Sequence, residues 1–299
     1  MLWKLILALA LAALPVAAQM NCSLQNLAGT YAVYNEGVLI TTSEGASQPV
    51  AAPFAEIGMV YIDPSGSVTG WLTMANPQIY DFEIVDGVIS VQPNCVGAMT
   101  AKLRVKGTQT LMPSPLSLPF VVKNRDPKEI HSVVLQGPMG AQMPIINLAV
   151  WTRVSPLNTP QANCSATQLI GTYIVDGKAT IYVTNPDMSV TPVPASWTML
   201  GTLDAQGKFT GGGPMDLPIA MPPTGMGDTS LEVNPDCTGT FKFKFKDLST
   251  GVEFPGQGIE KLIIMRDGDR LTVKALYLQG ILGKPVGLET WTRVSQQVQ

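Results

Sequence analysis

The chain repeats itself. Asn21-Cys22-Ser23, Gly29-Thr30-Tyr31, Pro93-Asn94-Cys95 and Trp151-Thr152-Arg153-Val154-Ser155 return as Asn163-Cys164-Ser165, Gly171-Thr172-Tyr173, Pro235-Asp236-Cys237 and Trp291-Thr292-Arg293-Val294-Ser295. The offset is 142 residues at the first three motifs and 140 at the last. This predicts two homologous domains in tandem, residues 19–155 and 163–299, joined by the proline-bounded polar stretch 156–162. Each unit has the size of an independent core. Duplication constrains the architecture and leaves function open, because one fold can carry many chemistries.

Residues 1–18 read as a signal peptide: Lys4 ahead of an apolar run from Leu5 to Leu14, then Val16-Ala17-Ala18 as a cleavage site. That run falls short of the roughly 20 residues a bilayer-spanning helix needs, which argues against an uncleaved anchor. A secreted or periplasmic protein starting at Gln19, with no membrane span after cleavage, is the expectation. The four cysteines agree with export. Cys22 to Cys95 and Cys164 to Cys237 are both separations of 73 residues, so one disulfide per domain is expected. The rival use of cysteine is zinc, which wants clustered Cys and His ligands. His131 is the chain's one histidine and has no counterpart in the second repeat, so neither a metal nor a cofactor is expected.

Composition narrows the classes. With 14% charged residues and a net charge of −3, the chain lacks the dense basic surface that nucleic acid requires. Its 28 glycines and 24 prolines separate short alternating runs, the pattern of an all-β protein. In Phe241-Lys242-Phe243-Lys244-Phe245-Lys246 the period of two puts the phenylalanines on one face and the lysines on the other. One repeat earlier, Met99, Ala101 and Leu103 share a face opposite Lys102 and Arg104. Asp63-Pro64-Ser65-Gly66 and Asp204-Ala205-Gln206-Gly207 suit type I turns, and Asp86-Gly87 and Asp267-Gly268 mark further turns. About eight to ten strands per repeat result, at the spacing of a barrel or a sandwich.

Gly29-Thr30-Tyr31 and Gly171-Thr172-Tyr173 open the first strand of each unit, and Arg153 or Arg293 lies in its last. This resembles the calycin superfamily of lipocalins and their relatives, where Gly-x-Trp on the first strand packs under a basic residue from the last; here tyrosine replaces the tryptophan. Allene oxide cyclase-like barrels are an equally good comparison, as are uncharacterised secreted bacterial proteins that share the Asn-Cys-Ser opening. The resemblance implies two antiparallel barrels closed by Tyr31 with Arg153 and by Tyr173 with Arg293; β-sandwiches are the alternative. A cation laid across an aromatic face would contribute about 0.5–2 kcal/mol.

An eight-stranded barrel is either filled by side chains or holds one small ligand. Met99, Ala101 and Leu103, with Phe241, Phe243 and Phe245, are the candidate lining residues. Three phenylalanines can plug the second barrel and leave the first open; the plainer reading makes all six ordinary core. Met112, Met139, Met143, Met215, Met221 and Met226 lie in proline- and glycine-rich stretches that either cover a barrel mouth or seal the core.

No catalytic residue is assigned. His131 alternates within a strand-like run, and no Gly-x-Ser-x-Gly elbow is present. Glu56, Asp81, Glu83, Asp216 and Glu232 are scattered; Glu56, beside Phe54, is the acid that a cyclase of allene oxide cyclase type would use. Lys242, Lys244 and Lys246 read as the wet side of a strand. Three functions follow: a secreted binder of a small apolar ligand, a non-catalytic structural or interaction module of the cell envelope, and a small-molecule cyclase or isomerase. The first is the reading adopted from sequence.

Overall fold

The computed structural model describes residues 22–41, 50–76, 78–123, 129–134, 137–138, 145–156, 163–185, 187–216, 222–267, 270–281 and 283–295. The expected signal peptide, residues 157–162 of the linker, Met139, Met143, Met221 and Gly268 lie outside the described residues.

The first unit contains β1 (Gly29–Thr41), β2 (Val50–Ile62), β3 (Ser67–Asn76), β4 (Gln78–Val91), β5 (Val96–Val105), β6 (Leu116–Lys123), β7 (Glu129–Ser132), β8 (Ile145–Asn147) and β9 (Ala149–Pro156). They pair in the order β2-β3-β4-β5-β6-β7-β9-β1, and β1 returns to β2, while β8 prolongs β9 along β1. The second contains β10 (Gly171–Thr184), β11 (Val190–Leu203), β12 (Phe209–Gly212), β13 (Met215–Asp216), β14 (Thr224–Val233), β15 (Thr238–Asp247), β16 (Gly258–Asp267), β17 (Arg270–Gln279) and β18 (Lys284–Ser295). It closes through β10 against β11, and β13 continues β12. Each sheet therefore closes on itself as an eight-stranded antiparallel barrel, and the sandwich alternative falls. Closure removes the exposed edges that an open sheet leaves.

The turns follow local chemistry. Asp63 Oδ1 accepts from the Ser65 and Ser67 amides at 2.8 and 3.0 Å, and Gly66 takes φ +88°. Asp204 repeats the device with Gln206 and Lys208 at 2.9 and 2.8 Å. Asp86-Gly87, expected as a turn, instead lies inside β4. The register slips between Val85 and Val88 and Asp86 adopts φ +51°, so the extra residue is absorbed as a bulge.

Disulfides join Cys22 to Cys95 and Cys164 to Cys237. Each ties the entry segment to a turn at one end of its barrel, beside a short helical lid: α1 (Leu24–Leu27) in the first unit, a 3-10 turn (Ala166–Leu169) in the second. The tyrosine and arginine expected to close each barrel pair in register, Tyr31 with Arg153 and Tyr173 with Arg293. Both hold the lid. Tyr31 Oη donates to Leu27 O at 2.8 Å and Arg153 Nη1 to Asn26 O at 3.3 Å; Tyr173 Oη donates to Leu169 O at 2.5 Å and Arg293 Nη1 to Gln168 O at 3.0 Å. Burial pushes both tyrosine hydroxyls up to about 12, so they remain donors.

A third apolar cluster lies outside both barrels and joins them. Ala32, Ala55, Ile57, Met59 and Ala75 of β1–β3 pack against Ile263, Met265, Leu276 and Val286 of β16–β18. At its margin Lys261 Nζ lies 4.2 Å from the Trp71 ring centroid and donates to Thr73 Oγ1 at 2.6 Å and Asp81 Oδ1 at 3.2 Å. Lys274 sits 4.3 Å from the Tyr34 ring, and Lys178 pairs with Glu36 at 2.5 Å.

Candidate functional site

Alternation along β1 and β2 turns Tyr31, Val33 and Asn35, with Phe54, Glu56 and Val60, into the first barrel. All of these but Tyr31 line a cavity of about 40 Å³ whose wall is otherwise mainly apolar: Leu72, Phe82, Met99, Leu103, Leu118, Val134, Ala149 and Trp151 among others. Asn35 Nδ2 donates to Glu56 Oε1 at 3.1 Å. Burial pushes the Glu56 carboxyl up to about 7, partly offset by that bond. Two further polar atoms on this cavity are buried and have no hydrogen-bond partner among the described residues: Asn35 Oδ1, an acceptor, and Trp151 Nε1, a donor. Buried polar groups are ordinarily paired, so two unpaired ones on one cavity, beside a carboxyl, call for explanation.

The second barrel supplies a comparison built into the same chain. Register equates Asn35 with Gly177 and Glu56 with Trp197, since each couple is paired across the first two strands of its barrel. In the same way Trp151 matches Trp291, Ala149 matches Glu289, and Leu118 matches Glu260. Val134 continues β7 to the place of Tyr277. Here Glu289 gathers most of the polar groups, while Glu260 Oε2 has no hydrogen-bond partner among the described residues and a cavity of about 40 Å³ lies beside Trp197 and Tyr277. The Glu289 carboxyl accepts from Trp291 Nε1 at 2.8 Å, from Trp197 Nε1 at 3.1 Å and from the Tyr277 hydroxyl. Glu260 lies against both Glu289 and Tyr277, and both carboxyls are 1% exposed. Burial raises both carboxyls, and the negative charge of Glu289 raises Glu260 further. Gly177 is required: a Cβ there would meet the Trp197 ring at 2.1 Å. The six positions of this cluster are thus the six that line one side of the first barrel's cavity.

The sequence-derived candidates divide. Met99 and Leu103 line the first cavity, while Ala101 is buried beside it. Phe243 and Phe245 line a second cavity, also about 40 Å³, whereas Phe241 packs into the core 4.9 Å from the Trp291 ring. The phenylalanines leave as much room as their smaller counterparts, because the first barrel takes its bulk from Phe54, Phe82 and Phe120 on other strands. Met112 and Met226 pack on the cores and Met215 lines the second cavity. His131 faces outward on β7 with Nε2 3.1 Å from Glu129. Glu83 pairs with Arg104 at 2.6 Å on the outer surface. Asn35, Trp151, Glu260 and Glu289 were not selected from sequence. Their signal was an acid or amide on the apolar face of an alternating strand, as in Glu260 with Leu262 and Ile264, or Glu289 two residues before Trp291.

No family model and no curated protein matches the chain. Among solved structures, a protein of unknown function from the DUF3598 family of Nostoc punctiforme is similar at 15% identity over 93% of this chain and 100% of that one, with a TM-score of 0.26. The first cavity and its polar corner therefore stand on their own chemistry.

Proposed function

We propose that this is a secreted, calycin-like two-barrel protein whose first barrel binds a small, largely apolar molecule with a hydrogen-bond-accepting end, best a short-chain carboxylate. The observation that carries this reading is Trp151 Nε1, unpaired among the described residues on a cavity that Glu56 and Asn35 also face. Where the second barrel supplies the Glu289 carboxylate to Trp291, the first has Ala149, which leaves both the space and the donor for a ligand. Burial pushes Glu56 up to about 7, which lets its carboxyl keep a proton near neutral pH and donate to a carboxylate. A cavity of about 40 Å³ exceeds the roughly 10–15 Å³ one water needs but is far below the 300–1,000 Å³ of drug-sized pockets, so the ligand has few heavy atoms. Two disulfides and the leader pattern support an oxidising, extracytoplasmic location. The Tyr31–Arg153 and Tyr173–Arg293 clamps support the calycin-like grouping.

The same small volume favours a second reading, an envelope interaction module with filled barrels. Native against denaturing mass spectrometry of the exported protein, followed by calorimetric titration with short-chain carboxylates, separates the two. The ligand reading predicts a released small acid or carboxylate binding that Ala149→Leu abolishes. A bare mass and no heat with any acid would leave the module.

A further inference from the structure

The contact between the barrels joins two different faces of one fold. The first barrel presents β1–β3 and the second presents β16–β18. Each barrel therefore carries a copy of the face the other one uses; the strands of these copies next to the existing contact, β9 and β10, already touch it through Val154, Tyr182 and the Lys178–Glu36 pair, and the large aliphatic groups farther out stand open. Ile263 and Leu276 are fully buried in the contact, and their counterparts in the first barrel, Val121 and Val133, are 50% and 43% exposed. Leu148, matching Leu288, is exposed as well, at the edge of the groove between the barrels. On the second barrel, Ala32 and Met59 correspond to Ile174 and Leu200, register partners that both point outward, with Leu200 57% exposed. An outward strand position left to water has no need of a large aliphatic group, and each of these matches a position that the existing contact buries or packs upon.

We propose that a second copy of this chain docks here, placing its β10–β12 face on the β6, β7 and β9 face of the first copy. The contact between chains then repeats the one made within the chain. Charge fits this arrangement. In the existing contact Lys274 covers Tyr34; in the repeated one His131 meets Asp176, a hydrogen-bonding pair in place of a cation over a ring. The buried lysine is not repeated, since Lys261 corresponds to Pro119 and Trp71 to Gly212. Association between chains is therefore weaker than the contact within one and depends on concentration. Because the two faces differ, the contact is heterologous and propagates head to tail into rings or open chains.

The test uses Val133→Glu and Leu200→Glu in the full chain, with sedimentation and light scattering across the micromolar range. Wild type is expected to grow in mass with concentration, and each variant to remain monomeric. An equimolar mixture of the two variants should form a capped dimer and nothing larger, because one retains each face. That result also shows both variants to be folded. A wild-type protein that stays monomeric throughout overturns the proposal, as does self-association that neither substitution affects, or a mixture that fails to pair.

Discussion

Trp151 and Trp291 hold the same place in the two barrels, yet Trp291 Nε1 donates to Glu289 at 2.8 Å while Trp151 Nε1 faces a cavity without a partner among the described residues. The difference predicts unequal responses to one substitution. Trp291→Phe removes a hydrogen bond to a buried carboxylate and should cost about 1.5–3 kcal/mol. Trp151→Phe loses no internal hydrogen bond and should cost clearly less. Chemical denaturation of both variants in ligand-free protein measures it.

The buried acids make stability fall with rising pH. Glu56 is raised from 4.5 to about 7, so the folded protein keeps a proton that the unfolded chain has released. Its stability is whole below 4.5, declines as pH rises, and is lower by at most about 3 kcal/mol above 7. The raised carboxyls of Glu260 and Glu289 act in the same direction. Glu56→Gln should therefore narrow the gap between melting temperatures recorded at about pH 5 and about pH 8, and an unchanged gap would contradict the burial of Glu56.

Each disulfide closes a loop of 73 residues' separation, for which chain entropy gives on the order of 4 kcal/mol. Replacing Cys22 and Cys95, or Cys164 and Cys237, by serine should lower the denaturation midpoint by comparable amounts, because the two bridges occupy equivalent positions.

The contact between barrels should couple their unfolding. Lys261 gives up much of its hydration to reach Thr73, Asp81 and the Trp71 face, and burial lowers its pKa. Lys261→Ala leaves Asp81 without its partner across the contact and Trp71 uncovered. Calorimetry is expected to resolve one transition for the wild type and two for the variant.

Much of this fold was legible. The alternation of Phe241 to Lys246 and the Asp63 and Asp204 turns act locally, the cysteine pairing was legible because its spacing of 73 residues repeats, and each appears as read. The face between the barrels was not drawn from sequence, although a trace of it was there. Ala55, Ile57 and Met59 make the outer side of β2 apolar although it faces away from its own barrel, and Ile263 and Met265 do the same for β16. A strand apolar on both sides is covered on both. Glu56 was singled out beside Phe54, but its hydrogen-bond partner Asn35 and the Trp151 that shares its cavity come from two other strands, and register alone brings them together.

The most direct test follows the indole N–H of Trp151. Heteronuclear NMR of tryptophan-labelled protein, with Trp151→Phe to assign the resonance, should show that signal shift downfield and saturate as a short-chain carboxylate is added, while Trp291 stays still. A Trp151 signal indifferent to every acid offered, or one already as far downfield as that of Trp291 in ligand-free protein, would contradict the account.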